Sequence, residues 1–474
     1  MDRNRLKWWA LAVTVLAVLV DMIDTQIVTV AAPTIQRELG ISDAALQWIT
    51  AGYALGFALM LITGGRLGDH YGRKRMFVLG MTGFTLSSLA AGLAQDSGVL
   101  IAARIAQGIS SGLMVPQVLA FIQSEFDHAE RPKAMTYYSA AFPLGGMAGP
   151  LLGGLLIQAD LFGTGWRAVF LVNLPIGIIA IVGALITMPA QTRQGAARID
   201  TGGLVLLTIA LSALFFPLVQ GRELDWPLWS VAIVVGFLPL IALFAWQQRA
   251  AARRGGEPLI PPGVLRIRSL TSSLAVIFPI NTAVGVFFIL TLHLQLGLGF
   301  SALRTALTFL PAAFGIVFGN VVAIALGKGR RGFVTVAIGV LIAGLAAVAV
   351  LVRWRGTDLT PWELIVPGLA FGIGIGSVLN TLFTTALTQV RPEQAGAASG
   401  LVNTTVQLGT ATGIALFGTI FFTRLPHGYL SATTNSMVVC IALLIVAMVL
   451  TATLPKSAPS APADASPEGV RTPA

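Results

Sequence analysis

The sequence predicts an all-α, polytopic membrane protein with fourteen spanning helices and both termini in the cytoplasm. Three observations lead to this fold class: the composition, the spacing of the apolar runs, and the distribution of basic residues between them. The chain has 474 residues, of which 55% are hydrophobic and 11% are charged, and its mean hydropathy is +0.82. A chain this apolar cannot maintain a soluble surface, and it is too long for one small core.

Spanning helices are expected wherever roughly 20 apolar residues lie between clusters of charged, Gly or Pro residues. This spacing gives fourteen candidate spans. The first seven cover residues 8–31, 44–65, 76–94, 98–121, 134–159, 168–188 and 202–219. The second seven cover residues 228–246, 270–296, 302–326, 333–352, 364–387, 396–422 and 437–453.

The basic residues favour one orientation in the membrane. Lys and Arg are roughly three times as frequent in the loops on the side of the two termini as in the loops on the other side. The positive-inside rule therefore predicts cytoplasmic termini and an even number of spans. Loops that face anionic lipid also account for the net charge of +10, so nucleic-acid binding is not expected.

A recurring charged loop suggests two repeats. Residues 64–75 form a charged, Gly-rich loop after the second span, and residues 327–331 form a weaker counterpart after the tenth. A feature at the same place in two six-span units indicates parallel repeats. The predicted organisation is a six-helix bundle at residues 1–190, a two-helix insert with its linkers at 191–268, a second six-helix bundle at 269–454, and a disordered cytoplasmic tail at 455–474.

Several short motifs lie in the spans and in the loop after the second span. Residues 65–74 read GRLGDHYGRK, and residues 104–108 read RIAQG. These match the patterns G-x-L-x-D-x-x-G-R-K and R-x-x-Q-G, and they resemble motifs of the major facilitator superfamily. Residues 145–154, GGMAGPLLGG, are similar to the antiporter pattern G-x-x-x-G-P-x-x-G-G. With the sequences WR at 166–167 and NLPIG at 173–177, the chain resembles the fourteen-helix drug:proton antiporter branch. This resemblance implies a multidrug or antibiotic exporter in the inner (plasma) membrane.

The charged loop has two interpretations. Its marked residues are Gly65, Gly68, Asp69, Gly72, Arg73 and Lys74. On composition alone, it is a topogenic turn in which glycines reverse the chain and cations stay inside. The resemblance implies a gate, in which Asp69 meets the positive N-terminal end of the thirteenth span near residues 393–396 and holds the cytoplasmic side shut.

The fifth span contains a row of small residues. Its marked residues are Gly145, Gly149, Pro150, Gly153 and Gly154. Glycines four residues apart lie on one helix face and allow another helix to approach closely, while a proline bends the helix. Ordinary helix packing explains this pattern, whereas the resemblance implies a dry antiporter-type seam that blocks ion leak.

Three charged residues lie within the apolar spans and away from the span ends. Asp21 and Asp24 are three apart on the first helix and project from one face. Counting from the span ends places Asp24 and Arg104 about 10 Å below the outer surface, and Asp21 roughly 5 Å deeper. Charges at such depth normally face the bundle interior or a water-filled cavity.

These three residues suit proton coupling, because burial, a second carboxylate and a guanidinium together set how tightly an acid holds a proton. A buried pair that only fixes helix packing is the alternative. Residues 24–33, DTQIVTVAAP, resemble the branch pattern D-x-T-I-V-N-V-A-x-P, except at Gln26 and Thr29. Asp21 lies outside that pattern, so which carboxylate binds the proton is left open.

Polar residues within apolar runs indicate a substrate cavity. The candidates are Trp48, Tyr53, Gln107, Gln117, Asn281, Asn380, Asn403 and Gln407. A few polar groups among apolar and aromatic walls suit an amphipathic organic ligand. For each of them, a helix-to-helix hydrogen bond is an equally good explanation.

The functional prediction is a proton-coupled efflux transporter and not an enzyme. The sequence has no P-loop, so a proton gradient is the expected energy source, with no cofactor and no metal. The expected partners are a small hydrophobic or cationic substrate, protons and the lipid bilayer, and the expected state is a monomer. A proton-coupled importer of a nutrient and a non-transporting membrane receptor are the two alternatives.

Overall fold

The protein is a bundle of long helices. A computed structural model describes residues 3–127, 129–160, 163–189, 200–221, 223–256, 258–260, 263–327, 331–391 and 394–455. These residues form sixteen α-helices and no strand. The helices before the middle of the chain are α1 (Arg3–Leu39), α2 (Asp43–Tyr71), α3 (Arg73–Gly92), α4 (Ser97–Glu125), α5 (Arg131–Ala159), α6 (Ala168–Leu171), α7 (Asn173–Thr187), α8 (Thr201–Gln220) and α9 (Leu228–Arg253). The others are α10 (Arg268–Val284), α11 (Val286–Leu292), α12 (Ala302–Val322), α13 (Arg331–Arg355), α14 (Ile365–Leu387), α15 (Ala395–Arg424) and α16 (Tyr429–Leu450).

Each predicted span coincides with one of these helices or with consecutive helices. The sixth span is α6 and α7, and the ninth is α10, α11 and a π-helical end at His293–Gly297. Within the described ranges, thirteen helical segments are long and apolar enough to cross a membrane. Among the predicted spans, the one that does not meet this measure is the third, α3, which begins with the three consecutive cations at 73–75.

Local signals set the helix ends. Ser42 accepts a hydrogen bond from the Ala45 N–H at 3.2 Å and caps the start of α2. Gly72, with φ of +96°, ends α2 and allows α3 to begin at the next residue. The predicted reversal of the chain within the charged loop is therefore confirmed at Gly72.

The helices pack in two groups of similar arrangement. In the first, α1 packs on α5 and α7, while α4 packs on α2 and α3. In the second, α10 packs on α15, while α14 packs on α12 and α13. Helices α8 and α9 pair with each other, and α8 lies against α2 and α15. The two groups meet where α2 packs on α15 and α5 packs on α12.

The two groups touch at the end of the bundle opposite to the start of α1, which we call the opposite face. Gln295 Nε2 donates to the Val30 carbonyl at 2.9 Å, and a Cβ at Gly154 would lie 2.6 Å from Leu303 Cα. Gln47, in the first turn of α2, lies against Gly418 near the end of α15. These contacts close the bundle at the opposite face.

Candidate functional site

The centre of the first helix group contains a buried ion pair. Arg104 Nη1 on α4 lies 2.5 Å from Asp24 Oδ2 on α1. Asp24 is fully buried, and Arg104 is 1% exposed. The sequence predicted that these residues lie at the same depth, and their direct contact agrees with that prediction.

Neutral groups complete the hydrogen bonding of Asp24. Its Oδ1 accepts from Gln107 Nε2 at 2.9 Å and from Asn173 Nδ2 at 2.7 Å. The Ser88 hydroxyl lies within hydrogen-bonding distance of the same two amides, at 2.7 and 2.9 Å. Both oxygens of Asp24 therefore have partners, as a buried carboxylate requires.

The guanidinium of Arg104 is held as closely. Its Nε donates to the Ile49 carbonyl at 3.1 Å, and its Nη1 donates to Gln107 Oε1 at 2.6 Å. Its centre lies 4.4 Å from the Tyr53 ring centroid and 5.8 Å from that of Phe170. Hydrogen bonds and cation–π contacts thus fix the cation between α1, α2, α4 and α6.

Asp21 has a different environment. It is fully buried, and its Oδ1 accepts a hydrogen bond from the Tyr53 hydroxyl, which also lies 2.9 Å from Ser111 Oγ. The other carboxyl oxygen, Oδ2, has no hydrogen-bond partner among the described residues. Tyr53 connects Asp21 to the ion pair, because its hydroxyl contacts Asp21 while its ring covers Arg104.

Three members of this network were not among the predicted site residues: Ser88, Ser111 and Asn173. Asn173 belongs to the NLPIG sequence that supported the family resemblance, and that signal could have marked it. Ser88 and Ser111 have no comparable signal, because serines are common on helix-packing faces in membranes.

A cavity of about 280 Å³ lies on the other side of α1. Its walls come from α1, α5, α11, α12 and α14. The polar residues of the wall are Gln26, Thr29 and Asn320, and its aromatic residues are Phe142, Phe287 and Phe309. This volume is close to the lower end of the roughly 300–1,000 Å³ that is typical of small-molecule sites.

None of the eight predicted cavity residues lines this cavity. Tyr53 and Gln107 belong to the buried network instead. The Asn281 and Asn403 amides donate to carbonyls of their own helices, at 2.9 and 3.0 Å. An amide side chain can donate its hydrogen bond to a carbonyl of its own helix. The presence of an amide in an apolar run therefore does not indicate whether its side chain faces a cavity.

The remaining four candidates also lie elsewhere. Gln117 Nε2 donates to the Gly64 carbonyl at 2.7 Å, where α2 and α4 touch. Trp48, Asn380 and Gln407 are half-buried away from the cavity wall.

The glycines of the fifth span face α1. A Cβ at Gly149 would lie 2.7 Å from Gln26 Cβ, and one at Gly153 would lie 2.9 Å from Ile27 Cγ1. Gly145 makes the same close approach to Met22. Gly154 faces α12 at the opposite face, and Pro150 lines the cavity. The predicted close contact between helices is present in this row.

The predicted charged loop is almost entirely helical, because α2 continues to Tyr71 and α3 begins at Arg73. Its residues join helices of the first group. Arg73 Nη1 donates to the Ala120 carbonyl at 2.8 Å, and Lys74 Nζ donates to the carbonyls of Leu185 and Met188 at 2.7 and 2.8 Å. The two cations thus satisfy carbonyls near the ends of α4 and α7. A Cβ at Gly68 would lie 2.7 Å from Gln117 Cδ, whereas one at Gly65 would lie 3.9 Å from Pro116 Cβ.

Asp69, in the last turn of α2, pairs with Arg73 at the start of α3. Its Oδ1 lies 3.3 Å from Arg73 Nη2, and its side chain is 53% exposed. The partner predicted for it lies near residues 393–396, of which 393 lies outside the described residues. The expected contact between Asp69 and the thirteenth span therefore stays a prediction.

Comparisons with known proteins agree with the helical architecture. The sequence profile of the Major Facilitator Superfamily matches residues 14–414. The probable actinorhodin transporter of Streptomyces coelicolor is 43% identical over 425 residues, covering 88% of this chain and 72% of that protein. Puromycin resistance protein pur8 of Streptomyces alboniger is 36% identical over 426 residues, covering 87% and 82%. The solved structure of the POT family transporter PepTSo has a TM-score of 0.69 at 16% identity and covers 94% of this chain and 97% of its own.

Proposed function

Since this chain belongs to the major facilitator superfamily and is a multi-pass plasma-membrane efflux transporter of the drug-exporter type, not an enzyme, we propose that protons drive its export cycle. The proposed cargo is a small hydrophobic or cationic compound of the antibiotic or drug class, which the names of its relatives support. The cargo binds in the cavity beside α1, and the buried acids of α1 couple its movement to protons.

Asp21 is the proposed proton carrier. The single observation that carries this proposal is the buried Oδ2 of Asp21, which has no partner among the described residues. A charged carboxylate in that position costs free energy, and binding a proton removes the charge. Asp24, in contrast, has a counterion and two amide donors, so both of its oxygens already have partners.

Asp24 and Arg104 are the proposed fixed frame of the coupling site. Their ion pair joins α1 to α4, and Asn173 extends the frame to α7. Tyr53 connects that frame to Asp21 through its ring and its hydroxyl. Protonation of Asp21 therefore changes the hydrogen bonding of a residue that also contacts the frame.

Alternating access follows from the way the two helix groups meet. We propose that the chain crosses the membrane fourteen times as six, two and six helices, divided at residues 1–190, 191–268 and 269–454, with both termini in the cytoplasm and with one chain as the working unit. The boundary between the first two ranges, at residues 190–199, lies outside the described residues, as does the predicted tail from residue 456 onward. Closure at the opposite face then corresponds to a cavity that opens toward the cytoplasm.

Asp69 and the glycine row of the fifth span each have a proposed role in this movement. The exposed carboxylate of Asp69 is available to bind the second helix group when the cytoplasmic side closes. The row Gly145, Gly149 and Gly153 holds α1 against α5, so the two helices move together. Each proton that enters supplies about 2.3 kcal/mol per 100 mV of membrane potential.

The test is transport by the purified chain in proteoliposomes. An imposed pH gradient should drive uphill movement of a fluorescent drug, and the uncoupler carbonyl cyanide m-chlorophenyl hydrazone should abolish it. Drug and proton must move in opposite directions. Movement in the same direction identifies an importer, and movement that ignores the pH gradient contradicts proton coupling.

A further inference from the structure

The cavity wall offers neutral polar groups and aromatic rings. Gln26 and Thr29 of α1 face the cavity together with Asn320 of α12. The rings of Phe287 and Phe309 meet edge to face, with centroids 5.3 Å apart and planes at 84°. Among the described residues that line the cavity, none carries a charge.

The polar groups of the wall are available to a ligand. Gln26 is exposed, and its amide makes no hydrogen bond to the part of the chain that the structure describes. The Asn320 amide is likewise without a partner there, and the Thr29 hydroxyl reaches only the Thr25 carbonyl, at 3.5 Å. Each group can both donate and accept a hydrogen bond, which suits the carbonyl and hydroxyl groups of a neutral compound.

The charges of the site face away from this wall. Asp21 and Asp24 are fully buried on the side of α1 that contacts α2 and α4. A charged ligand in the cavity would lose hydration without meeting an opposite charge. A phenylalanine face offsets only a small part of that loss for a cation.

Two residues of this wall differ from the motif that α1 resembles. Residues 24–33 differ from the branch pattern at Gln26 and Thr29, where the pattern has Thr and Asn. Both departures line the cavity, whereas Asp24, which matches the pattern, lies in the buried network. The departures are therefore placed where they change ligand contacts and leave the ion pair intact.

We propose that the exported compound is an uncharged, planar aromatic molecule with carbonyl or hydroxyl groups, selected by Gln26, Thr29 and Asn320. The rings of Phe142, Phe287 and Phe309 supply apolar contact for its aromatic faces. This inference rests on the proposed function in treating the cavity as the transport site, and it narrows the hydrophobic or cationic cargo to a neutral one. It does not depend on proton coupling.

Binding by the purified full-length chain tests this selectivity. The probes are acridone and N-methylacridinium, which share three fused rings but differ because the first is neutral with a carbonyl group and the second is a permanent cation. We expect acridone to bind at least about tenfold more tightly in a fluorescence titration without a pH gradient. Equal affinity, or a preference for the cation, overturns the proposal.

Substitutions in the wall sharpen the test. Gln26→Ala and Asn320→Ala should each weaken acridone binding by about five- to tenfold, the effect of one lost hydrogen bond. Asn435→Ala is the matched control, because its amide donates to the Ser431 carbonyl at 2.8 Å within α16, and it should leave the affinity unchanged. Unchanged acridone affinity in both wall variants overturns the proposal.

One variant separates recognition from misfolding. Gln26→Glu keeps the shape of the side chain and adds a negative charge to the wall, so it should reverse the preference toward N-methylacridinium. A misfolded protein loses both ligands and cannot exchange one preference for the other. Retention of the wild-type preference in Gln26→Glu contradicts this inference, whereas normal selectivity without proton-driven efflux contradicts only the proposed function.

Discussion

The two sides of α1 differ in how completely their polar groups are satisfied. On one side, Asp24 has an ion pair at 2.5 Å and two amide donors, and every member of its network is buried. On the other side, the amide of Gln26 has no partner in the described chain and faces an open cavity. One helix thus carries a polar network whose hydrogen bonds are complete and a cavity wall whose amides lack partners in the part of the chain that the structure describes. We call these the finished and the unfinished side of α1. We propose that the finished side stabilises the helix contacts and that the unfinished side binds the ligand.

Asp21 is the exception on the finished side. It shares the depth and burial of the network, yet its Oδ2 lacks a partner among the described residues. We propose that this missing hydrogen bond marks the group that gains and loses a proton. This contrast between Asp21 and Asp24 is the basis of the coupling proposal.

The largest effect should follow from breaking the finished side. Asp24→Asn keeps the shape of the side chain but leaves the buried cation of Arg104 without its counterion, which costs about 3–5 kcal/mol. Thermal unfolding in detergent, followed by circular dichroism, should show a large fall in Tm. The double variant Asp24→Asn/Arg104→Gln should recover part of this loss, because it removes both charges.

A partly exposed ion pair provides the control for this prediction. Lys7 and Glu130 lie 2.5 Å apart but are 21% and 26% exposed. Glu130→Gln should therefore cost at most about 1 kcal/mol. If Asp24→Asn costs no more than Glu130→Gln, the ion pair is not the structural frame that we describe.

An intermediate effect should follow from moving α1 away from α5. In Gly149→Ala, the new Cβ would lie 2.7 Å from Gln26 Cβ and 2.9 Å from the Ile23 carbonyl. Overpacking of this kind costs about 1–3 kcal/mol, and the Tm should fall accordingly. Gly236→Ala is the matched control in α9, because nothing lies within 4 Å of a Cβ there. Equal Tm values for the two variants would show that the seam tolerates separation.

A smaller effect should follow from removing the hydroxyl that connects Asp21 to the ion pair. Tyr53→Phe deletes the hydroxyl that contacts Asp21 and Ser111 but keeps the ring over Arg104. One buried hydrogen bond contributes about 0.5–1.5 kcal/mol, so the Tm should fall slightly. Tyr71→Phe, at a residue that is 41% exposed, should leave the Tm unchanged. A fall as large as that of Asp24→Asn would place Tyr53 in the frame itself.

The sequence predicted the helices and the shared depth of Asp24 and Arg104, because both depend on position along a helix. Apolar length places a span, and counting from its ends places Asp24 and Arg104 at one depth. The direction in which each side chain points around the helix axis could not be predicted in this way. Asn281 bonds its own helix at Ile277, so a polar residue in an apolar run did not mark the cavity.

The residues that line the cavity show the same limit of prediction from sequence, because the sequence did not identify them. Gln26 and Thr29 were visible in the sequence only as departures from a family pattern, and no rule of composition gave them a role. Asn320 had no signal, because its position depends on how α12 meets α1 and α5 across the two helix groups. Contacts between distant segments decide such sites, and one sequence does not contain them.

Asp21→Asn provides the most direct test of the central claim, that Asp21 carries the proton while Asp24 holds the frame. The amide cannot release a proton, yet it has the shape of the acid and can still accept the Tyr53 hydrogen bond. In proteoliposomes, we predict loss of pH-driven uphill efflux but continued exchange of labelled for unlabelled substrate at equal pH. Uphill efflux at the wild-type rate in Asp21→Asn would contradict the claim.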